Sequence, residues 1–286
     1  MPQLKTHCAV LIVALSLAGL AQAQVFTQGP SVESVLDKSF HAMYNLQFDD
    51  ALAQAERARA LDMEDPTPWV AKASAILFRE FDRLHILRSE MFASDAAFDA
   101  RPASVWVVQN RKDFDEALNG AEKIARRRLD LNKNDLKGLF ALALADGLRA
   151  DDAALITKKN LTALSYTKAA TGFAERLLAL APDYYDAYVA TGVGKYIIGG
   201  KPAPVRWMLR IGGLKGDQEA GIRELRLVAD HGHYLAPFAR ILLAFDDLRH
   251  KNQIAARQKL EALREQFPGN PLFSQEIRKF DHVAAP

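Results

Sequence analysis

The string Asp230-His-Gly-His233, near the end of the chain, has the spacing closest to that of a metal site. Two histidines two residues apart can share a metal on an extended strand, because alternate side chains face the same side. Zinc would need a third protein ligand; the distant His85 and His250 are candidates, although no spacing supports either. One alternative is therefore a metal-dependent enzyme that uses His231 and His233.

A helix end explains the same string more simply, and we favour that interpretation. His231 can interact with the last carbonyl groups of a helix, and Gly232 can supply the left-handed residue that ends it. Cys8 is the only cysteine, and the chain contains no G-x-S-x-G, H-E-x-x-H or C-x-x-C string. The sequence thus predicts a protein that is not an enzyme and needs no cofactor.

Three adjacent aspartate pairs could suggest acid–base chemistry. They are Asp49-Asp50, Asp151-Asp152 and Asp246-Asp247. Neighbouring side chains on a helix do not face each other. We therefore interpret the pairs as helix caps and solvated faces.

Aromatic and cationic side chains concentrate between residues 182 and 210. Tyrosine and tryptophan offer binding area together with a polar group, and arginine pairs with carboxylates. We expect these side chains to bind an extended or helical segment of a partner protein or peptide. The predicted partner-binding residues are Tyr184, Tyr185, Tyr196, Arg206, Trp207 and Arg210.

The elements that must position these residues are predicted to be helices. Apolar residues recur at steps of three and four, whereas glycine and proline cluster in a few places. The short strand-like run at 104–109 is isolated, and we assign it to a helix or loop. The pattern predicts an all-α protein.

Several helical segments share one spacing. A small residue is followed twelve positions later by proline from Ala170 to Pro182 and from Ala256 to Pro268, whereas after Ala51 the proline is displaced to Pro66. Twelve residues make about three helical turns, and proline cannot continue the helix. These segments resemble the second helix of a tetratricopeptide repeat.

The resemblance extends to first helices, where Tyr188 and Gly192 match the aromatic and glycine positions of the family. It implies that residues 24–286 form a tetratricopeptide-like solenoid of helix hairpins with insertions between helices, whose stacked repeats bury one continuous core. The clearest repeats are at 31–66, at 135–235 and at 237–270. The resemblance also implies a binding or scaffolding role.

The segment 199–217 is predicted to be an insertion within one hairpin. Gly192 and Gly221 are 29 residues apart, about 17 more than the usual step between paired small residues. Within the insertion, Pro204 can begin a short helix, and Asp217 can cap the helix that follows. We expect the short helix to dock on the core of the molecule, with contact to a partner or a lipid surface as the alternative.

Residues 200–225 show a weaker local resemblance to a eukaryotic family of membrane-associated tetratricopeptide proteins. We carry no function over from that family. The insertion nevertheless offers a second functional alternative, which is a membrane-associated periplasmic accessory factor that uses 199–217 for surface contact.

The first residues have the arrangement of a secretory signal. An apolar run follows Lys5, and Ala21 and Ala23 are the small residues that signal peptidase recognises. We predict a signal peptide at 1–23, cleavage after Ala23, and a periplasmic or secreted mature chain. The whole chain has a formal net charge of +2, and this near-neutral balance argues against nucleic-acid binding.

Overall fold

The structure of the protein is a computed structural model that describes residues 29–91, 100–201, 203–211, 213 and 215–283. The regular structure of these residues is helical, without strands, which confirms the predicted all-α class. The α-helices are, in chain order, α1 (Val32–Tyr44), α2 (Phe48–Leu61), α3 (Thr67–Arg83), α4 (Val108–Leu131), α5 (Leu136–Asp151), α6 (Asn160–Leu180), α7 (Tyr188–Gly199), α8 (Ala203–Ile211), α9 (Gln218–His231), α10 (Ala236–Arg249), α11 (Gln253–Gln266) and α12 (Pro271–Val283).

The predicted signal peptide at 1–23 lies outside the described residues. None of the described helices combines the length and the apolar character that a bilayer-spanning helix requires. Within the run at 104–109, residues 104–107 form a loop, and α4 begins at Val108.

Side-chain caps determine where several helices begin. The Asp135 carboxylate accepts a hydrogen bond from the backbone N–H of Gly138 at 2.7 Å, at the start of α5. The Asp217 carboxylate accepts one from the N–H of Ala220 at 2.9 Å, at the start of α9. Each bond satisfies a first-turn N–H that has no partner within its own helix. The predicted cap at Asp217 is confirmed.

Most helices pack chiefly against the helices next to them in sequence, and α1, α3, α5 and α7 also contact one another in turn. Small residues lie where the helices approach closely. Ala51 in α2, Ala170 in α6 and Ala256 in α11 are each at most 3% exposed. These are the small residues that the sequence spacing singled out.

The predicted hairpin segments contain the following helices. Residues 31–66 hold α1 and α2, and residues 135–235 hold α5, α6, α7, α8 and α9. The last predicted repeat, 237–270, holds α11 and nearly all of α10, which begins one residue earlier. Helix α12 lies beyond the last predicted repeat and was not anticipated.

The predicted insertion separates two helices that pack directly on each other. A Cβ added to Gly221 in α9 would lie 2.6 Å from the carbonyl oxygen of Gly192 in α7, so the two backbones are in contact at these glycines. Helix α8 occupies the intervening segment and has few contacts with the rest of the chain. The insertion therefore leaves the α7–α9 pair intact and adds a separate short helix.

The two ends of the described chain meet. The Tyr44 hydroxyl, at the end of α1, donates a hydrogen bond to the carbonyl oxygen of Tyr234 at 3.0 Å. The Phe40 and Tyr234 rings stack with centroids 4.8 Å apart, and the Tyr44 and Phe267 centroids are 5.2 Å apart. The Asn270 side-chain amide donates to the Tyr44 carbonyl oxygen at 2.9 Å. One apolar core therefore includes residues from both ends.

Candidate functional site

The six predicted partner-binding residues divide into two groups at opposite ends of α7. Tyr184 and Tyr185 precede α7, whereas Tyr196 lies in its last turn and the other three residues lie on α8. Helix α7 has 12 residues, and a rise of 1.5 Å per residue separates its ends by about 18 Å. The structure therefore does not assemble the six residues into one surface.

Helix α8 exposes its tryptophan. Trp207 is 68% exposed, and the side chains of Arg206 and Arg210 are also exposed. The expectation that this helix docks on the core is therefore wrong for Trp207. Among the described residues, the helix that packs most against α8 is α7, and this packing leaves the Trp207 side chain in solvent.

Arg206 attaches α8 to the preceding loop. Its guanidinium donates hydrogen bonds to the carbonyl oxygens of Gly199 at 3.3 Å and Lys201 at 3.1 Å. These oxygens lie at the end of α7, where helical carbonyl groups lack partners within the helix. Arg206 therefore positions α8, which leaves Arg210 better placed to pair with an external carboxylate.

Tyr196 has an internal role. Its hydroxyl donates a hydrogen bond to the Asp246 carboxylate at 2.8 Å, and the side chain is half-buried. The bond connects the end of α7 to α10. Tyr196 thus resembles a packing residue more than an exposed anchor.

Tyr184 and Tyr185 line a cavity of about 320 Å³. The cavity lies between the first turns of α1, α3 and α5 and the turns that lead into α7 and α10. The Tyr184 ring packs on Phe140, with centroids 5.0 Å apart, and the Tyr185 ring packs on His231 at 4.8 Å. Tyr184 and Tyr185 are both half-buried.

A buried carboxylate organises one side of this cavity. Asp186 is 5% exposed and accepts hydrogen bonds from the backbone N–H groups of Tyr234 at 2.9 Å and Leu235 at 3.1 Å. Burial raises the pKa of the Asp186 carboxyl, although the two N–H donors oppose that shift. Sequence reasoning missed Asp186, because its partners lie almost fifty residues further along the chain.

The interpretation of the histidine string as a helix end is confirmed, because α9 ends at His231. The predicted left-handed cap is wrong, since Gly232 has φ −63° and ψ 149°. A Cβ on Gly232 would lie 2.7 Å from the Asp186 carboxylate and 2.6 Å from the Val228 carbonyl oxygen. Glycine is therefore needed here for space and not for a positive φ.

The histidines do not form a metal centre in the described part of the chain. His233 Nε2 lies 2.7 Å from an Asp37 carboxylate oxygen, and Nδ1 lies 3.6 Å from Glu33. The described residues contain no group of three or more histidine, cysteine, aspartate or glutamate side chains that could hold a metal ion. The geometry therefore gives the metalloenzyme alternative no support.

One of the adjacent aspartate pairs departs from its predicted solvated position. Asp152 is 7% exposed and accepts hydrogen bonds from Trp106 Nε1 at 2.8 Å and Arg111 at 2.7 Å. It lies in a π-helical segment, Asp152–Ile156, that follows α5. Its role is to satisfy a buried indole N–H, and it has no carboxyl partner for acid–base work.

Comparison of the chain with protein-family models, with curated proteins and with solved structures finds no match.

Proposed function

We propose that the mature chain is an exported, non-catalytic binding protein built as a tetratricopeptide-like solenoid, and that it docks on a partner protein through α8. The observation that carries this proposal is the 68% exposure of Trp207 on a short helix with few internal contacts. Exposed tryptophan is among the side chains most enriched at the energetic centres of protein interfaces. A half-buried Trp207 would instead have indicated that the side chain packs against the core of the molecule.

The order of helix packing supports the solenoid part of the proposal. In a solenoid of helix hairpins, each unit contacts only its neighbours. Here helices adjacent in sequence pack together, and α1, α3, α5 and α7 also contact in succession. The close approach of the two backbones at Gly192 and Gly221 is what the tetratricopeptide interpretation expects of the two helices of one hairpin.

The charge around α8 favours an acidic partner surface. Residues 199–216 contain no aspartate or glutamate but four cations: Lys201, Arg206, Arg210 and Lys215. All four side chains are exposed. Such a patch steers an acidic surface towards α8, and Trp207 then supplies the apolar anchor.

The partner is expected to bind α8 instead of a concave groove. An open solenoid offers a groove along its first helices. In this chain α1 contacts residues near the C-terminal end, through the Phe40–Tyr234 and Tyr44–Phe267 ring pairs. That contact occupies part of the surface on which an extended peptide would lie.

Site-specific photocrosslinking in envelope extracts tests the proposal. A photoreactive residue at Ala203, which is exposed on α8, should give a discrete crosslinked partner, and Trp207→Ala in the same chain should reduce that product. The matched control places the same residue at Ile254, which is 75% exposed on α11. Equal products at both positions, or none at 203, would contradict docking through α8.

A membrane surface is the second candidate for the same helix. The specific observation is again the pairing of an exposed tryptophan with exposed cations, which suits the interface of an anionic bilayer. Flotation with vesicles that contain anionic lipid distinguishes the two. Wild-type protein that floats, with loss of flotation in Trp207→Ala and retention in Ile254→Ala, would favour lipid over a protein partner.

A further inference from the structure

The cavity next to Tyr184 has the size and the walls of a small binding site. Its volume of about 320 Å³ lies at the lower end of the range of roughly 300–1,000 Å³ for small-molecule sites. The aromatic residues Tyr184, Tyr185 and Tyr234 line it, together with Leu36 of α1. Because α1 and the turn before α10 both contribute, the site exists only where the two ends of the chain meet.

Most of the charges around the cavity already have partners. Lys137 lies 2.5 Å from a carboxylate oxygen of Asp65, and Asp65 also accepts the backbone N–H of Thr67 at 2.8 Å. His233 is paired with Asp37 at 2.7 Å. The charge of Lys137 is therefore balanced by Asp65, and His233 Nε2 is already occupied by Asp37, so neither side chain is free to bind an anion.

Helix starts surround the cavity, and their partial positive charge would by itself favour an anion. The carboxylates at these positions offset that effect. Asp65 accepts a first-turn N–H of α3, and Asp186 accepts two N–H groups just before α10. The two carboxylates are 1% and 5% exposed, so they act at short range with little screening by water.

Three polar groups on the cavity wall have no partner among the described residues. The exposed Asp183 carboxylate makes no hydrogen bond or ion pair there, and the hydroxyls of Tyr184 and Tyr234 make no hydrogen bond. Burial raises the pKa of both tyrosines, and the carboxylates nearby raise it further. Both phenols therefore stay neutral and sit in a negative field.

We infer that this cavity binds an alkylammonium group, either a lysine side chain of a peptide or a free diamine. Asp183 supplies the opposite charge. An ammonium carries three N–H donors, and the two tyrosine hydroxyls can accept from it. The alkyl stem of the ligand would lie against Leu36.

Isothermal titration calorimetry of the mature chain tests the inference with two amines. The probes are lysine blocked at both backbone ends, which stands for a peptide, and cadaverine, which stands for a free diamine. We expect saturable binding with a Kd between about 0.1 and 10 mM, as suits so small a ligand. Tighter binding of blocked lysine would identify a peptide source, and tighter binding of cadaverine a free amine.

Two variants test the Asp183 charge and the Tyr184 hydroxyl separately. Asp183→Asn should weaken binding at least fivefold and Tyr184→Phe at least threefold, whereas Asp50→Asn, the same change at an exposed site on α2, should have no effect. Blocked norleucine lacks the ammonium and should not bind. Tetramethylammonium lacks N–H donors and should bind at least tenfold more weakly than the amines.

Three results would overturn the inference. They are the absence of saturable binding by both amines, equal binding of blocked norleucine, and unchanged affinity in both Asp183→Asn and Tyr184→Phe. Circular dichroism of each variant confirms that it is folded. If one of the two variants does not fold, the other alone tests the inference. The site is separate from α8, so these results do not depend on the outcome of crosslinking at position 203.

Discussion

At the scale of single residues, Asp151 and Asp152 show how neighbours in sequence acquire different properties. The Asp152 carboxylate accepts hydrogen bonds from the Trp106 indole N–H and from the Arg111 guanidinium. The Asp151 side chain makes no hydrogen bond or ion pair with any described residue. Burial raises the pKa of the Asp151 carboxyl to about 7. Because a raised pKa favours the protonated acid, Asp151 links the stability of the fold to pH.

We predict that the free energy of unfolding falls as the pH rises from 5 to 8, through loss of the Asp151 proton. The folded pKa of about 7 lies above the unfolded value of about 4, so the folded state binds more protons in this window. Asp151→Asn should remove this pH-dependent fall in the free energy of unfolding. We expect the fall to be about 1–3 kcal/mol, and the partial accessibility of the side chain to solvent limits its size. Urea denaturation at pH 5, 6.5 and 8 measures it.

The control for this prediction is Asp50→Asn, at an exposed position on α2. It should leave the pH profile of the wild type unchanged. If Asp151→Asn and the wild type lose stability equally between pH 5 and 8, Asp151 is not the group responsible.

At the scale of elements, the α7–α9 pair depends on two glycines. Gly192 and Gly221 lie where the two helix backbones touch. Glycine inside a helix costs about 1 kcal/mol relative to alanine, so its presence at both positions indicates that close packing outweighs helix propensity. The pair also explains how an insertion that carries α8 leaves the packing of the hairpin intact.

We predict that Gly221→Ala destabilises the protein by about 2 kcal/mol, the usual range for overpacking a tight contact. The new Cβ would lie 2.6 Å from the Gly192 carbonyl oxygen and 2.7 Å from the Tyr196 backbone nitrogen, so the helices must move apart. Gly172→Ala in α6 is the matched control, because a Cβ there meets nothing within 4 Å.

Gly172→Ala should stabilise the fold by about 0.5–1 kcal/mol through helix propensity alone. Both changes in unfolding free energy can be read from urea denaturation curves. A stabilising effect of Gly221→Ala would show that α7 and α9 are not in backbone contact.

At the scale of the whole molecule, the contact between the chain ends sets this protein apart from an open repeat array. Phe267 is 1% exposed and packs against the His41 and Tyr44 rings of α1, with centroids 5.3 and 5.2 Å apart. Asn45 accepts a hydrogen bond from the N–H of Gly269 at 2.8 Å. In an open array, by contrast, terminal repeats contact only their neighbours.

We predict that Phe267→Ala costs about 3–5 kcal/mol and speeds hydrogen exchange in α1 as well as in α11. Mass spectrometry of peptides from Val32–Tyr44 measures the effect on α1. Ile254→Ala, on α11 itself and 75% exposed at that position, serves as the control and should leave α1 unchanged. Unaltered exchange in α1 after Phe267→Ala would mean that the two ends are not energetically coupled.

Local features were predictable because their causes lie within one or two turns of helix. Apolar periodicity indicated the all-α class, and the spacing of small residues with proline located α2, α6 and α11. The cap at Asp217 and the short helix after Pro204 also follow from local rules. The pairing of Gly192 with Gly221 could be predicted only by comparison with the repeat pattern, because that pattern indicates which small residues of two paired helices should face each other.

The sequence by itself determined the all-α class, several of the helices and the segment that carries α8. Only the tertiary structure decided that Trp207 faces outward, that Asp186 is buried beneath Tyr234, and that the ends of the chain meet. The cavity joins residues more than 100 positions apart, such as Leu36 and Tyr184. Whether these residues come together depends on the sum of the small rotations between successive helix pairs. A local sequence pattern does not encode that sum.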